Sequence, residues 1–291
     1  MSAGKPRWDI DGVAWPHREA SKFVTAGGVE WHMQRYGKGP EILFLHGTGA
    51  ATHSWAELGD ALKDDFTIIA VDLPGHGFTS TPKAAGMSLP GMAQSAAALL
   101  KAIGAKPEIV AGHSAGAAIL VEMLAEGLIK PRAALSINGA FAPFGGPAAF
   151  LFPAMAKMLS INPFIPLIFA QGAARKDRVG ALIEGTGSKI SEKMLACYST
   201  LFRRAGHVAG ALKMMANWNV DGLRAKLSTI KTPIVFAAGE RDRAVPPWLA
   251  EEAARLAPRG SFRLIPSLGH LAHEEDPAIF AALIRDIAAL R

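Results

Sequence analysis

The sequence predicts an α/β protein: a mostly parallel central sheet flanked by helices, with one helical insertion. Three observations carry this. Short apolar runs of strand length show little alternation, as strands covered on both faces require. Helical stretches separate these runs, so each crossover can pass over a face of the sheet. The rhythm then breaks once, after Ala140, in a segment rich in Pro, Phe and Met.

Residues 21–36 read as a hairpin: SKFVTA, a Gly27-Gly28 turn, then the alternating VEWHMQRY. Buried strands follow at 41–46, 66–72, 108–113, 133–138 and 233–238, with FRLIP at 262–266 as the last. Helices are expected at 55–63, 89–103, 115–127, 247–257 and 277–290. The predicted division is a core of residues 1–140 and 227–291 and a helical cap, or lid, at 141–226. The cap carries Pro143, Pro147, Pro153, Pro163 and Pro166 and half of the phenylalanines. Met155, Met158, Met194, Met214 and Met215 also fall there, and unbranched, adaptable methionine suits the lining of an apolar pocket.

Half of the 291 residues are hydrophobic and 19% are charged, which supports a sizeable core and excludes disorder. The single cysteine, Cys197, excludes a disulfide-stapled fold. The N-terminus has no apolar stretch of signal-peptide length, so the expected setting is cytoplasmic. Phe141–Ala170 is apolar, but Lys157 and the prolines interrupt it before it could span a membrane; contact with a membrane surface stays open. The net charge of +6 sits in the insertion, where eleven Lys and Arg face four Asp and Glu. No Arg-rich tract, zinc-finger spacing or RNA-binding aromatic motif accompanies it, so nucleic acid is not an expected partner.

The strongest chemical signal is Gly112-His113-Ser114-Ala115-Gly116, between a strand and a helix. In that setting G-x-S-x-G forms a sharp turn that lifts a serine hydroxyl above the sheet. A serine needs a base, and the base an orienting acid. Asp242 follows the strand PIVFAAG and His270 follows the last strand, so Ser114, Asp242 and His270 are the expected catalytic residues. Glu240 is the competing acid, and Asn138 could orient a histidine without supplying charge. The backbone N–H groups of Thr48 and Ala115 are the expected oxyanion donors.

Two rival patterns are weaker. Gly47-Thr48-Gly49-Ala50-Ala51-Thr52, with Asp72 after the next strand, approaches a dinucleotide fingerprint but has Thr52 at the sixth position. His270, His273 and Glu274 approach a metal pair without the H-E-x-x-H order. No cofactor or metal is therefore expected. His46 and His76 read as loop-fixing residues, His113 as a core neighbour of the turn, and Cys197 as a small buried residue.

The segments HGTGA, DLPGHG, GHSAG, GERDRAVP and GHLAHEEDP, in register, resemble the α/β-hydrolase fold family over nearly the whole chain. WPHREASKFV, HGTGAATHSW, DLPGHGFT, GHSAGAAIL and SINGAFAPF further resemble the magnesium-chelatase-associated α/β-hydrolases of bacteriochlorophyll biosynthesis (the BchO type) of photosynthetic bacteria. This resemblance implies a role near magnesium insertion into protoporphyrin, with chelatase subunits as partners and a triad at Ser114, Asp242 and His270. An apolar, basic cap suits an apolar small-molecule substrate, a porphyrin among them. The expected function is a serine hydrolase of the esterase type. Alternatives are a non-catalytic tetrapyrrole-binding or chelatase accessory protein that retains the triad, and C–C bond hydrolysis, hydroxynitrile cleavage or perhydrolase chemistry. Epoxide-hydrolase and haloalkane-dehalogenase relatives use aspartate where Ser114 stands.

Overall fold

The computed structural model describes residues 4–142, 164–172 and 176–289. Its strands are β1 (Ser21–Ala26), β2 (Val29–Gly37), β3 (Glu41–Leu45), β4 (Thr67–Val71), β5 (Ile109–His113), β6 (Ala133–Ile137), β7 (Ile234–Gly239) and β8 (Gly260–Ile265). They form one sheet in the order β1-β2-β4-β3-β5-β6-β7-β8. The expected hairpin is β1–β2, and β2 runs antiparallel to β4; β3 to β8 are parallel. Parallel strands end at one edge, so the loops after β3, β5, β6, β7 and β8 gather there.

The helices, in chain order, are α1 (Trp8–Asp11), α2 (Ala56–Leu62), α3 (Leu89–Ala102), α4 (Ala115–Ala125), α5 (Phe164–Gly172) and α6 (Lys176–Gly185). They continue with α7 (Glu192–Phe202), α8 (Ala205–Ala216), α9 (Leu223–Leu227), α10 (Trp248–Leu256), α11 (Ala272–Glu275) and α12 (Pro277–Ala289). The apolar strand runs feed both faces by parity. Leu43, Leu45, Val110 and Phe236 pack with α3, α4 and α10, while Ile42, Phe44, Ile109 and Leu135 pack with α2 and α12. Each fully buried Ile, Leu or Phe stabilises by about 1.5–3 kcal/mol, which is why uninterrupted apolar runs persist here. Helix α4 is apolar but for Glu122, and its residues Ala115–Met123 are buried, as a helix enclosed on nearly every side requires.

Helices α5 to α9 lie between β6 and β7. Pro143, Pro147, Pro153, Pro163, Met155, Lys157 and Met158 lie outside the described residues. Helix α9 spans the expected 226/227 boundary and packs on α4, where Lys226 Nζ pairs with the buried Glu122 at 2.8 Å. Among the described residues, no helix is long and apolar enough to cross a membrane.

Candidate active site

Ser114 joins β5 to α4 with φ 52° and ψ −116°, a strained backbone for a residue with a Cβ. The flanking glycines allow it. A Cβ on Gly112 would lie 2.5 Å from the Gly116 carbonyl oxygen, and one on Gly116 would lie 2.0 Å from that of Leu45. The turn therefore packs backbone to backbone, and the Ser114 side chain has only the space above the sheet.

Asp242, in the loop after β7, is fixed on both oxygens. Oδ1 accepts the N–H groups of Ala244 and Val245, each at 2.8 Å. Oδ2 accepts Asn138 Nδ2 at 2.5 Å and His270 Nδ1 at 2.8 Å. Glu240, the competing acid, instead accepts the Ser267 N–H at 3.0 Å and closes its own loop. The His270 backbone is held as well: its carbonyl accepts His113 Nε2–H at 2.9 Å. Burial and the neighbouring His273 and His270 hold the His113 ring well below the ordinary histidine range, so it stays neutral.

Ser114 and His270 line one cavity of about 650 Å³, together with Thr48 and Ala115. An imidazole tied at Nδ1 to a carboxylate presents Nε2 as a proton acceptor. No hydrogen bond joins Ser114 to His270 among the described residues, and such contacts commonly tighten only when substrate is bound. The Thr48 and Ala115 N–H groups likewise have no acceptor among the described residues. Phe202, Leu182, Met214, Met215 and Trp218 supply apolar walls, and the described lining holds no lysine or arginine.

The rival patterns dissolve in the geometry. Asp72 is buried; its Oδ1 accepts the Thr52 N–H at 2.7 Å, and its Oδ2 accepts the Phe78 N–H at 2.9 Å and His32 Nδ1–H at 2.8 Å. Burial alone would raise its pKa, but the His32 contact and these donors hold it below the usual carboxylate range. His270 and His273 face different partners. His273 Nε2–H donates to Ser54 Oγ at 2.9 Å, and Ser54 and Tyr198 both donate to Glu274 Oε1, at 2.5 and 2.7 Å. His46 donates to the Gly47 carbonyl and accepts the Leu73 N–H, and His76 donates to the Pro74 carbonyl, so both fix loops. Cys197 is buried, and burial pushes its thiol up to about 12.

Residues 42–283 match the Alpha/beta hydrolase family, and the chain belongs to it. In sequence it is 37% identical over 263 residues to the "Magnesium-chelatase 30 kDa subunit" of Rhodobacter capsulatus, covering 89% of this chain and 91% of that protein. It is 28% identical to a "Pimeloyl-[acyl-carrier protein] methyl ester esterase" of Stenotrophomonas maltophilia, covering 89% and 97%. In structure it resembles an alpha/beta hydrolase fold protein from Burkholderia ambifaria with a TM-score of 0.77 at 21% identity, covering 92% of this chain and 97% of that one.

Proposed function

We propose that the chain is a serine hydrolase that cleaves an ester-type bond of an apolar substrate, with residues 141–226 acting as a cap over the cavity. The reading is carried by His270, tied to Asp242 and lining the same cavity as a serine on a strained turn. Ser114 Oγ attacks the acyl carbon while His270 Nε2 takes its proton. Asp242 holds the imidazole tautomer and stabilises the imidazolium. The Thr48 and Ala115 N–H groups receive the charge that develops on the carbonyl oxygen, and one such donor is worth roughly 10²–10³ in rate. His270 then protonates the leaving alcohol, and water reverses the sequence on the acyl-enzyme. C–C hydrolase or perhydrolase chemistry would use the same groups on a different substrate.

The likeness to a magnesium-chelatase subunit supports a place beside that enzyme, and a second reading follows from it: a non-catalytic accessory that binds a tetrapyrrole or the chelatase. Trp218 in the cavity wall is the probe for that reading, by fluorescence quenching with a porphyrin. The deciding experiment is labelling with a fluorophosphonate, native protein against Ser114→Ala. Labelling that vanishes in the variant supports the hydrolase. A folded native protein that neither labels nor turns over aryl esters would leave the accessory reading.

A further inference from the structure

Helix α8 presents three residues on one face: His207, Gly210 and Met214, at the i, i+3, i+7 spacing that aligns side chains along a helix. His207 and Met214 meet the Gly47–Ala50 turn that lines the cavity, and His207 and Gly210 meet the Gly75–Gly77 loop behind it. His207 is fully buried and uses both ring nitrogens. Nε2–H donates to the Gly49 carbonyl at 3.1 Å, and Nδ1 accepts the Gly77 N–H at 3.0 Å. A Cβ on Gly210 would lie 1.9 Å from the Gly75 carbonyl oxygen, so the helix sits backbone against backbone on that loop. Met214 Sδ accepts Thr48 Oγ1–H at 3.8 Å.

The Gly49 carbonyl belongs to the turn that presents the Thr48 N–H. The Ala50 N–H closes that turn onto the Gly47 carbonyl at 3.2 Å, and Gly49 sits at φ 82°, the left-handed position a type II turn needs at its third residue. Phe202, the last residue of α7, covers Gly49, its ring 3.2 Å from where a Cβ would be. The turn is thus clamped by α7 and α8, whereas the Ser114 turn is clamped by the sheet.

We propose that His207 is a positioning residue for the oxyanion turn. It ties Gly49 to the Gly75–Gly77 loop and so fixes the direction of the Thr48 N–H from the cap side of the cavity. This rests on the hydrolase reading for its catalytic consequence, though not for the tie itself. Two functional consequences follow: the loss falls on the transition state, and a cap held away from the core loses the oxyanion donor along with the pocket wall. Burial holds His207 down to about 3, so the ring is neutral and keeps its acceptor throughout the working pH range.

The test compares native protein, His207→Leu and His207→Gln. Gln can still both donate and accept. On a p-nitrophenyl ester, His207→Leu is expected to lose about 10–100-fold in kcat, at or below the cost of losing one oxyanion donor because the Thr48 N–H is misdirected and not removed, with KM within about threefold. Affinity for an aryl boronic acid, which forms a tetrahedral adduct on the serine, is expected to fall in parallel, and Gln to recover most of both. Amide exchange is the measurement that does not depend on catalysis: the Ala50 N–H is expected to exchange faster in His207→Leu, with the β5 and β6 amides unchanged. If the native protein proves inactive, the hydrolase reading fails while faster Ala50 exchange still supports the tie. Unchanged Ala50 exchange, or an active, folded His207→Leu with native kcat, overturns the proposal. Should Leu prevent folding, His207→Asn, whose amide reaches the place of Nδ1 but not that of Nε2, takes its part in the same two measurements: lower kcat with faster Ala50 exchange supports the proposal, and native values overturn it.

Discussion

Acidification from pH 7.5 to 5.5 is expected to destabilise this protein far more than its net charge suggests. His46, His53, His207 and His273 are held down to about 3 and His76 to about 4, from 6.5, chiefly by burial. Below pH 6.5 each binds a proton in the unfolded chain but not in the folded one, so stability falls as pH falls, until the folded values near 3–4 are reached. At pH 5.5, one unit below 6.5, each costs a little over 1 kcal/mol, about 7 kcal/mol for the five. Glu274 acts oppositely. Burial raises it from 4.5 to about 7, against the pull of Ser54 and Tyr198, so the folded state holds the extra proton and regains about 2 kcal/mol on acidification. The net loss is at least about 5 kcal/mol, since His113, likewise buried and neutral, adds to it, and it is comparable with the whole stability of an ordinary domain. Urea denaturation followed by tryptophan fluorescence should show the midpoint falling by about 2 M, at about 2–3 kcal/mol per molar. His53 packs between Trp15 and Tyr198, and neither of its ring nitrogens has a partner among the described residues, so His53→Leu removes one titrating group and no hydrogen bond. It should shrink the pH-dependent loss by one share. A midpoint equal or higher at pH 5.5, or a His53→Leu variant with the full loss, would refute the reasoning.

Three further outcomes are expected. Asp242→Asn should lower kcat on an aryl ester by about 10³–10⁴ with the fold intact by circular dichroism, and a loss below tenfold would move the acid role to another residue. Asn138→Ala removes one of the two donors on Asp242 Oδ2 and should cost about tenfold in kcat with KM unchanged, the share of one hydrogen bond to a charged group. Gly116→Ala should destabilise by at least about 2 kcal/mol in urea titration, because its Cβ cannot coexist with the Leu45 carbonyl where it stands; native-like stability would mean the turn can open.

The sheet and its helices were legible because burial on both faces writes itself into local sequence. The runs at 41–46 and 108–113 carry apolar residues at every parity, and parallel pairing follows from the helices between them. The serine turn was equally readable, since Gly112 and Gly116 answer to contacts a few residues away and to the neighbouring strand. The choice of Asp242 over Glu240 was harder. Two carboxylates two residues apart look alike in sequence; what separates them is that Asp242 meets Asn138, at the end of a strand more than a hundred positions earlier, while Glu240 meets Ser267.

His207 left no trace of its surroundings in the sequence, and the physical reason is general. A buried histidine with both nitrogens satisfied by backbone groups, here Gly49 and Gly77, depends on carbonyl and amide positions that any residue type supplies. Only the distance between two turns selects it. Catalytic side chains announce themselves because chemistry restricts their type, whereas positioning side chains answer to geometry assembled from distant segments. The half of the site contributed by α7 and α8 is of the second kind: Phe202 and Met214 are ordinary apolar residues of their helices until the turn at Gly47–Ala50 is brought against them. On the proposed hydrolase reading, substrate selection would therefore rest on the helices between β6 and β7, where sequence pattern carries least information about contact, while the bond-breaking groups would rest on the sheet, where it carries most.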